Sequence, residues 1–185
     1  LLNILLNGYD ESDGRVAQLL RRAGYLEQRQ AYCVVAAQST NPAEMDSPAR
    51  AQRIVNSILA TTTGTPIRAL AGIRDNLATI VFSDKRRQSG WTAAQSNLAG
   101  RIHPKLEVLG PAVLVGISAD HPSTSFLPRA LHEAQIALDF ATVARRVVQF
   151  AELPIRDLLI HHGRDYVQAA APGWMPGGTA CRRSP

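Results

Sequence analysis

Two neighbouring segments decide the fold: Val113-Leu114-Val115-Gly116-Ile117-Ser118 and, after a polar gap, Arg129-Ala130-Leu131-His132-Glu133-Ala134-Gln135-Ile136-Ala137-Leu138. The first is a β-branched apolar run, which is typical of a buried strand that ends at a glycine. The second carries leucines and alanines at helical spacing, which predicts a helix from about residue 125 to 143 with one apolar face. Its small alanines allow close approach to a sheet. The pair therefore predicts a strand, a loop and a helix in one layered domain.

Apolar patterning predicts the remaining elements on either side of this pair. Ser47-Pro48 is a strong helix start, with serine as the cap and proline in the first turn, and Asp13 is a second cap. Segment 73–76 has the length and Asp/Asn content of a hairpin turn. The predicted strands are 31–37, 67–72, 77–82, 112–117 and 147–150, and the predicted helices include 1–7, 13–23, 48–59 and one from Trp91 that ends before Pro104.

The core order of these elements is β-α-β-β-α-β-α-β. It predicts an α+β fold, a ferredoxin-like plan with an added strand, in which helices cover one face of a mixed, largely antiparallel sheet. We divide the chain into a helical lead-in at 1–28, a central domain at 29–151, linker helices at 152–171 and an irregular tail at 172–185. The chain opens without Met inside an apolar helix, so we expect it to be a piece of a longer protein.

Composition excludes several classes of protein. The 185 residues are 45% hydrophobic, which is typical of a globular chain, and the net charge of +5 is not arranged as a Lys/Arg stripe interleaved with aromatics. The arginine pairs are expected in a loop, at a helix end and in the tail (86–87, 145–146 and 182–183). Of the two cysteines, Cys33 is expected in the core, and a reducing, cytoplasmic setting fits. No apolar stretch is long enough to span a membrane.

No catalytic motif can be assembled from the sequence. Neither a phosphate-binding glycine loop with lysine nor a G-x-G-x-x-G pattern is present, and Ser118 lacks the frame of a hydrolase nucleophile. His161-His162 is interpreted as two polar residues near a helix C-terminus. Scattered surface or loop positions are expected for His103, His121 and His132. We therefore expect no catalytic residue, no metal site and no cofactor.

The element order, with a hairpin at 73–76, resembles the GGDEF and nucleotide-cyclase fold. Three runs resemble, in order and spacing, a conserved pattern of PucR/CdaR-type bacterial transcriptional regulators: Val115-Gly116-Ile117-Ser118, then Leu131 to Leu138, then Val147-Val148-Gln149-Phe150-Ala151-Glu152-Leu153. The opening from Leu5 to Gly24 and the run Tyr32-Cys33-Val34-Val35 are similar to the lead-in of the same family. The resemblance spans roughly residues 1–162 and identifies 29–151 as a GGDEF-like domain.

The resemblance implies what the hairpin can do. True diguanylate cyclases carry Gly-Gly-Asp/Glu-Glu-Phe there, with glycines that admit the nucleotide and carboxylates that hold magnesium. The corresponding turn in this chain is Gly72-Ile73-Arg74-Asp75-Asn76-Leu77, with one glycine and one acid. Cyclase activity is therefore not expected. If a small-molecule effector binds where a cyclase holds its nucleotide, the expected ligand-binding residues are Gly72, Arg74, Asp75 and Asn76.

The function implied by the resemblance is that of a non-catalytic sensory or dimerisation domain. Such a domain is expected to form a homodimer and to reach DNA only through a C-terminal helix-turn-helix domain that is absent from this chain. The 152–171 helices would transmit the signal. Two alternatives stay open: a divergent cyclase or phosphotransferase that uses Asp75 with Asp84, and a stand-alone small-molecule-binding module near Gly72 to Asn76.

Overall fold

The computed structural model of the protein describes residues 1–10, 12–25, 30–85 and 97–160. These residues form a five-stranded mixed sheet with helices packed on it, which confirms the predicted α+β class. The strands are β1 (Gln30–Ser39), β2 (Arg68–Arg74), β3 (Leu77–Lys85), β4 (Val113–Ile117) and β5 (Val147–Gln149). The helices are α1 (Leu2–Asn7), α2 (Gly14–Arg22), α3 (Pro48–Ala60), α4 (Leu98–Glu107) and α5 (Leu127–Asp139).

The sheet has the strand order β2-β3-β1-β4-β5. The long central strand β1 pairs antiparallel with β3 on one side and with β4 on the other, for example Val35 with Ile80 and with Ile117. Strand β2 pairs antiparallel with β3, and β5 pairs parallel with β4 at the opposite edge. The predicted edge strand at 147–150 is thus confirmed, and the hairpin between β2 and β3 occupies the other edge.

Helices lie on both faces of the sheet, so the prediction of one covered face is wrong. Side chains alternate between faces along a strand. On one face, Cys33, Ile80 and their neighbours join Ile58 of α3 and Ile102 of α4 in one apolar cluster. Helix α5 contacts β1 and β4 from the other face, where α1 also reaches β2. We call these the α3/α4 face and the α1/α5 face.

Glycine makes the close packing of α5 possible. A Cβ atom at Gly116 of β4 would lie 2.1 Å from the backbone oxygen of Ala134 and 2.4 Å from the backbone nitrogen of Leu138. Only a residue without a side chain can sit this close to a helix backbone. The strand continues through Gly116 to Ile117, and the predicted alanines of α5 are fully buried.

Helix ends follow the predicted signals in part. Asp13 accepts hydrogen bonds from the backbone N–H groups of Arg15 and Val16, as a capping aspartate should. Ser47 occupies the position before α3, but its side chain makes no capping hydrogen bond, and Pro48 begins the helix. Helix α5 ends at Asp139, four residues before the predicted end at 143.

The prediction that a helix ends before Pro104 is wrong. Helix α4 runs through Pro104 to Glu107, because Ile102 and Leu106 are both fully buried and this packing outweighs the hydrogen bond that proline removes. Residues 91–96 of the predicted helix lie outside the described part of the chain.

Arg145 and Arg146 precede β5 and do not end a helix, as had been predicted for them. Arg146 Nη1 donates instead to the carbonyl oxygens of Leu109 and Gly110, at 2.6 and 2.9 Å. These carbonyls lie just beyond the end of α4. The Nη2 atom of Arg146 also donates to the carbonyl oxygen of Glu107, a backbone acceptor that the last turn of α4 leaves open.

The chain divides into two compact units, Leu1–Glu152 and Leu153–Pro185. In the second unit residues 155–160 are helical, while the predicted segments 164–171 and 172–185, and His161-His162, lie outside the described residues. So do Arg86-Arg87, Arg182-Arg183 and Cys181. None of the described helices is long and apolar enough to cross a membrane.

Candidate functional site

The hairpin between β2 and β3 is shorter than predicted. Ile73 and Arg74 belong to β2, and only Asp75 and Asn76 form the connection, with positive φ angles of 49° and 59°. A two-residue turn with both φ angles positive matches the twist of the flanking strands and favours Asn and Asp after glycine. The turn thereby presents one carboxylate and one amide in fixed directions.

A groove of about 300 Å³ lies between this turn, the end of β1 and the turn of 3₁₀ helix at Pro42–Glu44. The residues that line it are Gln38, Pro42, Ala43, Met45, Asp46, Asp75, Asn76 and Leu77. Asn76 Nδ2 donates a hydrogen bond of 3.1 Å to Asp46 Oδ1, which ties the hairpin to the segment after β1. We call this space the turn groove.

The structure separates the four predicted ligand-binding residues. Asp75 and Asn76 line the turn groove, whereas Gly72 and Arg74 do not. Gly72 lies under α1, where an added Cβ atom would be 2.7 Å from Leu2 Cδ2. Arg74 follows two residues later on the same face and donates from Nε to Asp75 Oδ2 at 3.3 Å. Arg74 therefore affects the groove only indirectly, because its positive charge lies beside the Asp75 carboxylate.

The turn groove offers polar recognition of a small molecule more readily than metal chemistry. Carboxylates of Asp46 and Asp75 accept hydrogen bonds, the amides of Gln38 and Asn76 donate and accept them, and Met45 adds an apolar surface. Within the described residues, no group of three or more His, Cys, Asp and Glu side chains could hold a metal ion. Asp75 is itself 76% exposed, with Arg74 beside it.

Asp84, the second carboxylate of the enzyme alternative, lies at the far end of β3. It comes seven positions after Leu77, a distance of roughly 23 Å along an extended strand. Its Oδ2 atom is 2.6 Å from Arg101 Nη2 on α4, and its Oδ1 atom accepts from the backbone N–H of Lys85. Asp75 and Asp84 therefore do not converge on one site.

A buried polar cluster follows β4, at a place where a surface or loop histidine was predicted. His121 lies in a loop, one of the two predicted settings, but not at the surface: it is only 7% exposed, and its Nε2 atom lies 2.8 Å from Glu133 Oε2. Glu133 also accepts from Arg129 Nε at 3.0 Å and from the backbone N–H of Ala119. We call His121, Glu133 and these partners the loop cluster, because they hold the loop between β4 and α5.

Opposing effects set the pKa of Glu133. Burial raises it, but hydrogen bonds from His121, Arg129 and the Ala119 N–H together outweigh burial and leave the pKa below its usual value of 4.5. A signal in the sequence marks this carboxylate: Glu133 lies three residues after Ala130 and four before Ala137, so it falls on the apolar stripe of α5.

Cys33 behaves as predicted, as a core residue. Its side chain is fully buried on β1, and burial, together with the nearby Asp120 carboxylate, raises the pKa of the thiol well above its usual value. A thiol of this kind is a poor nucleophile. Cys33 therefore belongs to the apolar packing of the α3/α4 face.

Comparison with known families gives one match. Residues 7–140 match the model of the GGDEF-like domain. The matched range contains the whole of β1 to β4, the hairpin turn and α5. No curated protein matches the chain.

Proposed function

The chain belongs to the GGDEF-like domain family, and we propose that it acts as the non-catalytic sensory and dimerisation domain of a PucR/CdaR-type transcriptional regulator. In this proposal the turn groove receives a small-molecule effector, and the protein forms a homodimer. DNA is bound only through a separate C-terminal domain. The 152–171 segment carries the signal between the two.

One observation supports a non-catalytic role: both carboxylates of the turn groove, Asp75 of the hairpin turn and Asp46 across from it, are engaged by neighbouring side chains. Two-metal phosphoryl transfer needs at least two converging carboxylates to hold the ions. Asp75 lies 3.3 Å from Arg74, and Asp46 across the groove accepts a hydrogen bond from Asn76. These contacts favour a groove that binds a polar ligand and leaves it unchanged.

The chemistry of the groove restricts the effector. Asp46 and Asp75 carry negative charge and would repel a ligand with free phosphates, whereas N–H and O–H donors on a ligand would meet acceptors on both walls. Neutral purines and polyols fit this pattern better than nucleoside triphosphates do. Sugar acids would need to present their hydroxyls to the groove and their carboxylate to solvent.

A thermal-shift screen with purines, nucleotides and sugar acids tests effector binding. A ligand that binds only the folded protein stabilises it by about 2.7 kcal/mol at a hundredfold excess over its Kd, so a true effector raises the melting temperature clearly. Asn76→Gly keeps the positive φ angle and removes the amide, so it should weaken binding without unfolding the turn. Glu107→Gln on α4 is the matched control and should bind as the wild type does.

An assay of nucleotide turnover is the most direct test of the non-catalytic role. The protein is incubated with GTP or ATP and Mg²⁺, and products are separated by chromatography. We expect no cyclised or transferred product. Product formation that Asp75→Asn abolishes would make the domain an enzyme and refute its non-catalytic role.

The relay is tested in a full-length regulator that contains this domain. Residues 155–160 are helical and expose Ile155, Leu159 and Ile160, which suits a helix that transmits contacts to another element. Changing Leu158 and Leu159 to asparagine should uncouple effector binding from transcription, measured with a reporter gene, while the effector affinity stays unchanged. Unaltered regulation would exclude the relay.

Separate experiments test the homodimer and the C-terminal DNA-binding domain. Sedimentation equilibrium should give about twice the 20.0 kDa mass of one chain, because symmetric operators are read by symmetric pairs. The coding sequence downstream of Pro185, translated in all three frames, should contain a helix-turn-helix region. A monomer, or a downstream sequence without that region, would contradict the corresponding part of the proposal.

A further inference from the structure

A second pocket lies at the end of the β2–β3 hairpin opposite the turn. Its volume is about 240 Å³, and it is lined by Gln30, Pro66, Arg68, Ser83, Asp84 and Lys85. Arg68 begins β2 and pairs across the ladder with Ser83, while Lys85 ends β3 and pairs with Gln30. The register therefore brings two cations to the rim of one pocket.

Within the described residues, the two cations of this pocket have no ion-pair partner. Among the ion pairs formed by the described residues, none includes Arg68 or Lys85, and both side chains are exposed. The one carboxylate in the wall, Asp84, is already engaged by Arg101 at 2.6 Å. Two positive charges thus remain at the rim with no negative partner in the described part of the chain.

The wall also holds a polar group that lacks a partner. Ser83 is only 1% exposed, and its hydroxyl forms no hydrogen bond with any residue that the structure describes. A buried hydroxyl left in this state costs stability, so an unpaired one at the wall of a pocket calls for a reason. A hydrogen bond to a bound ligand supplies that reason, since a hydroxyl donates readily to an anionic oxygen.

We propose that this pocket binds a small oxyanion, the phosphate or carboxylate group of a metabolite, held by Arg68, Lys85 and the Ser83 hydroxyl. We call it the anion pocket. It is separate from the turn groove in place and in charge: the groove presents Asp46 and Asp75, whereas the pocket presents two cations. A guanidinium and an ammonium together suit a phosphate, which carries up to two charges on one group, better than a dicarboxylate, which carries one charge on each of two separate groups.

The test is a calorimetric titration of the full chain with inorganic phosphate and, separately, with succinate. Both are compared with sodium chloride at equal ionic strength, since exposed charge pairs are screened by salt. We expect a saturable heat with phosphate, weaker or no binding of succinate, and none with chloride. If succinate binds more tightly than phosphate, the pocket is still an oxyanion site, and its ligand is the carboxylate group of a metabolite.

Three substitutions assign the site. Arg68→Gln and Lys85→Gln should each weaken phosphate binding at least fivefold. Ser83→Ala should also weaken it, while the melting temperature without phosphate stays the same or rises, because the unpaired hydroxyl is gone. Arg53→Gln removes an exposed arginine from α3 and is the matched control, with affinity equal to the wild type.

Two results would overturn the proposal. One is a phosphate response equal to that of chloride. The other is an equal loss of affinity in the Arg53 and Arg68 variants, which would reduce the effect to net charge. A Ser83→Ala protein that melts lower and binds phosphate as tightly as the wild type would remove the hydroxyl from the site.

Discussion

The two faces of the sheet differ in the kind of contact that holds the helices to them. The α3/α4 face is apolar at its centre, with Cys33, Val35, Ile80 and Phe82 all fully buried in one cluster. The α1/α5 face carries Tyr32 and Ser118 as buried residues with paired polar groups, together with the glycine contact and the loop cluster beneath α5. The Ser83 hydroxyl, at the wall of the anion pocket, is the exception among the described residues of this face. The first face depends on buried apolar area, and the second depends on close fit and satisfied hydrogen bonds.

This difference determines which face of the sheet tolerates substitutions and which does not. An apolar face tolerates substitutions that keep volume, since such swaps cost less than about 1.5 kcal/mol. A face built on backbone contact and paired polar groups has no such latitude, because each paired group must keep its partners at hydrogen-bond distance. Ser118 shows this: its Oγ atom accepts from the Val34 N–H at 2.9 Å and donates to the Ala119 carbonyl at 2.8 Å.

The largest effect is expected from Gly116→Ala. The added methyl group would meet backbone atoms of Ala134 and Leu138, which cannot rotate away, so α5 must move off the sheet. We expect a loss of about 4 kcal/mol or more in the free energy of unfolding, at the upper end for an overpacked core. Urea denaturation measures this change.

Gly110→Ala is the control for that variant. Nothing lies within 4 Å of an added Cβ atom there, so the same chemical change should shift stability by less than about 0.5 kcal/mol. Equal effects at both glycines would mean that α5 is not held against β4, and the contrast between the two faces would fail.

The next effect concerns the charge of Glu133. Replacing it with glutamine keeps the shape and removes the negative charge that His121 Nε2 contacts at 2.8 Å and Arg129 Nε at 3.0 Å. We expect a cost of about 1–3 kcal/mol at neutral pH, as for a buried hydrogen bond to a charged group. Arg129 contributes the smaller share, because its side chain is 70% exposed.

The pH dependence of that cost has a definite sign. The pKa of Glu133 is lower in the folded protein than its usual value of 4.5, so its contribution to stability is complete above that value. It is lost as the pH falls through the lower folded pKa. The stability difference between wild type and Glu133→Gln should therefore shrink below pH 4.5, while Glu107→Gln should follow the wild type throughout.

A smaller effect is expected on the apolar face. Ile80→Val removes one buried methylene from β3, which costs about 0.5–1.5 kcal/mol. Ile73→Val makes the same change on β2, where the side chain is 39% exposed, and should cost less. The denaturant midpoints of the two variants, at an unchanged slope of the unfolding transition, compare their stabilities. A larger loss for Ile73→Val than for Ile80→Val would show that the α3/α4 cluster does not extend to β3 as described.

Local patterns predicted much of this fold because each depended on near neighbours. Asp13 as a cap and the strand at β5 are signals within a few residues of the chain, and the structure agrees with both. Non-local features were not predictable in the same way. Pro104 stays in a helix because of packing by Ile102 and Leu106, and no pattern of proline itself encodes that.

The candidate sites show the same limit. The sequence placed Gly72, Arg74, Asp75 and Asn76 together by proximity in the chain, but strand alternation puts Gly72 beneath α1 and leaves Asp75 and Asn76 to the groove. For His121 a surface or loop position was predicted, and it does lie in a loop. Its burial against Glu133 was not predictable, because that partner is twelve residues away across a loop whose path the sequence does not define. Chain distance is a poor guide wherever a loop folds back onto a sheet.

The smallest expected effect is on Cys33, the one thiol in the described part of the chain, and it tests whether the α3/α4 face is closed to solvent. The side chain is fully buried and burial raises the pKa of its thiol, so the reactive thiolate is scarce and shielded. A Cys181→Ser protein, which leaves Cys33 as the remaining cysteine, should not react with Ellman's reagent until denaturant is added. Reaction at the rate of a free thiol in native buffer would mean that this face opens to solvent. The α3/α4 face could then no longer be described as a closed apolar core in contrast to the α1/α5 face.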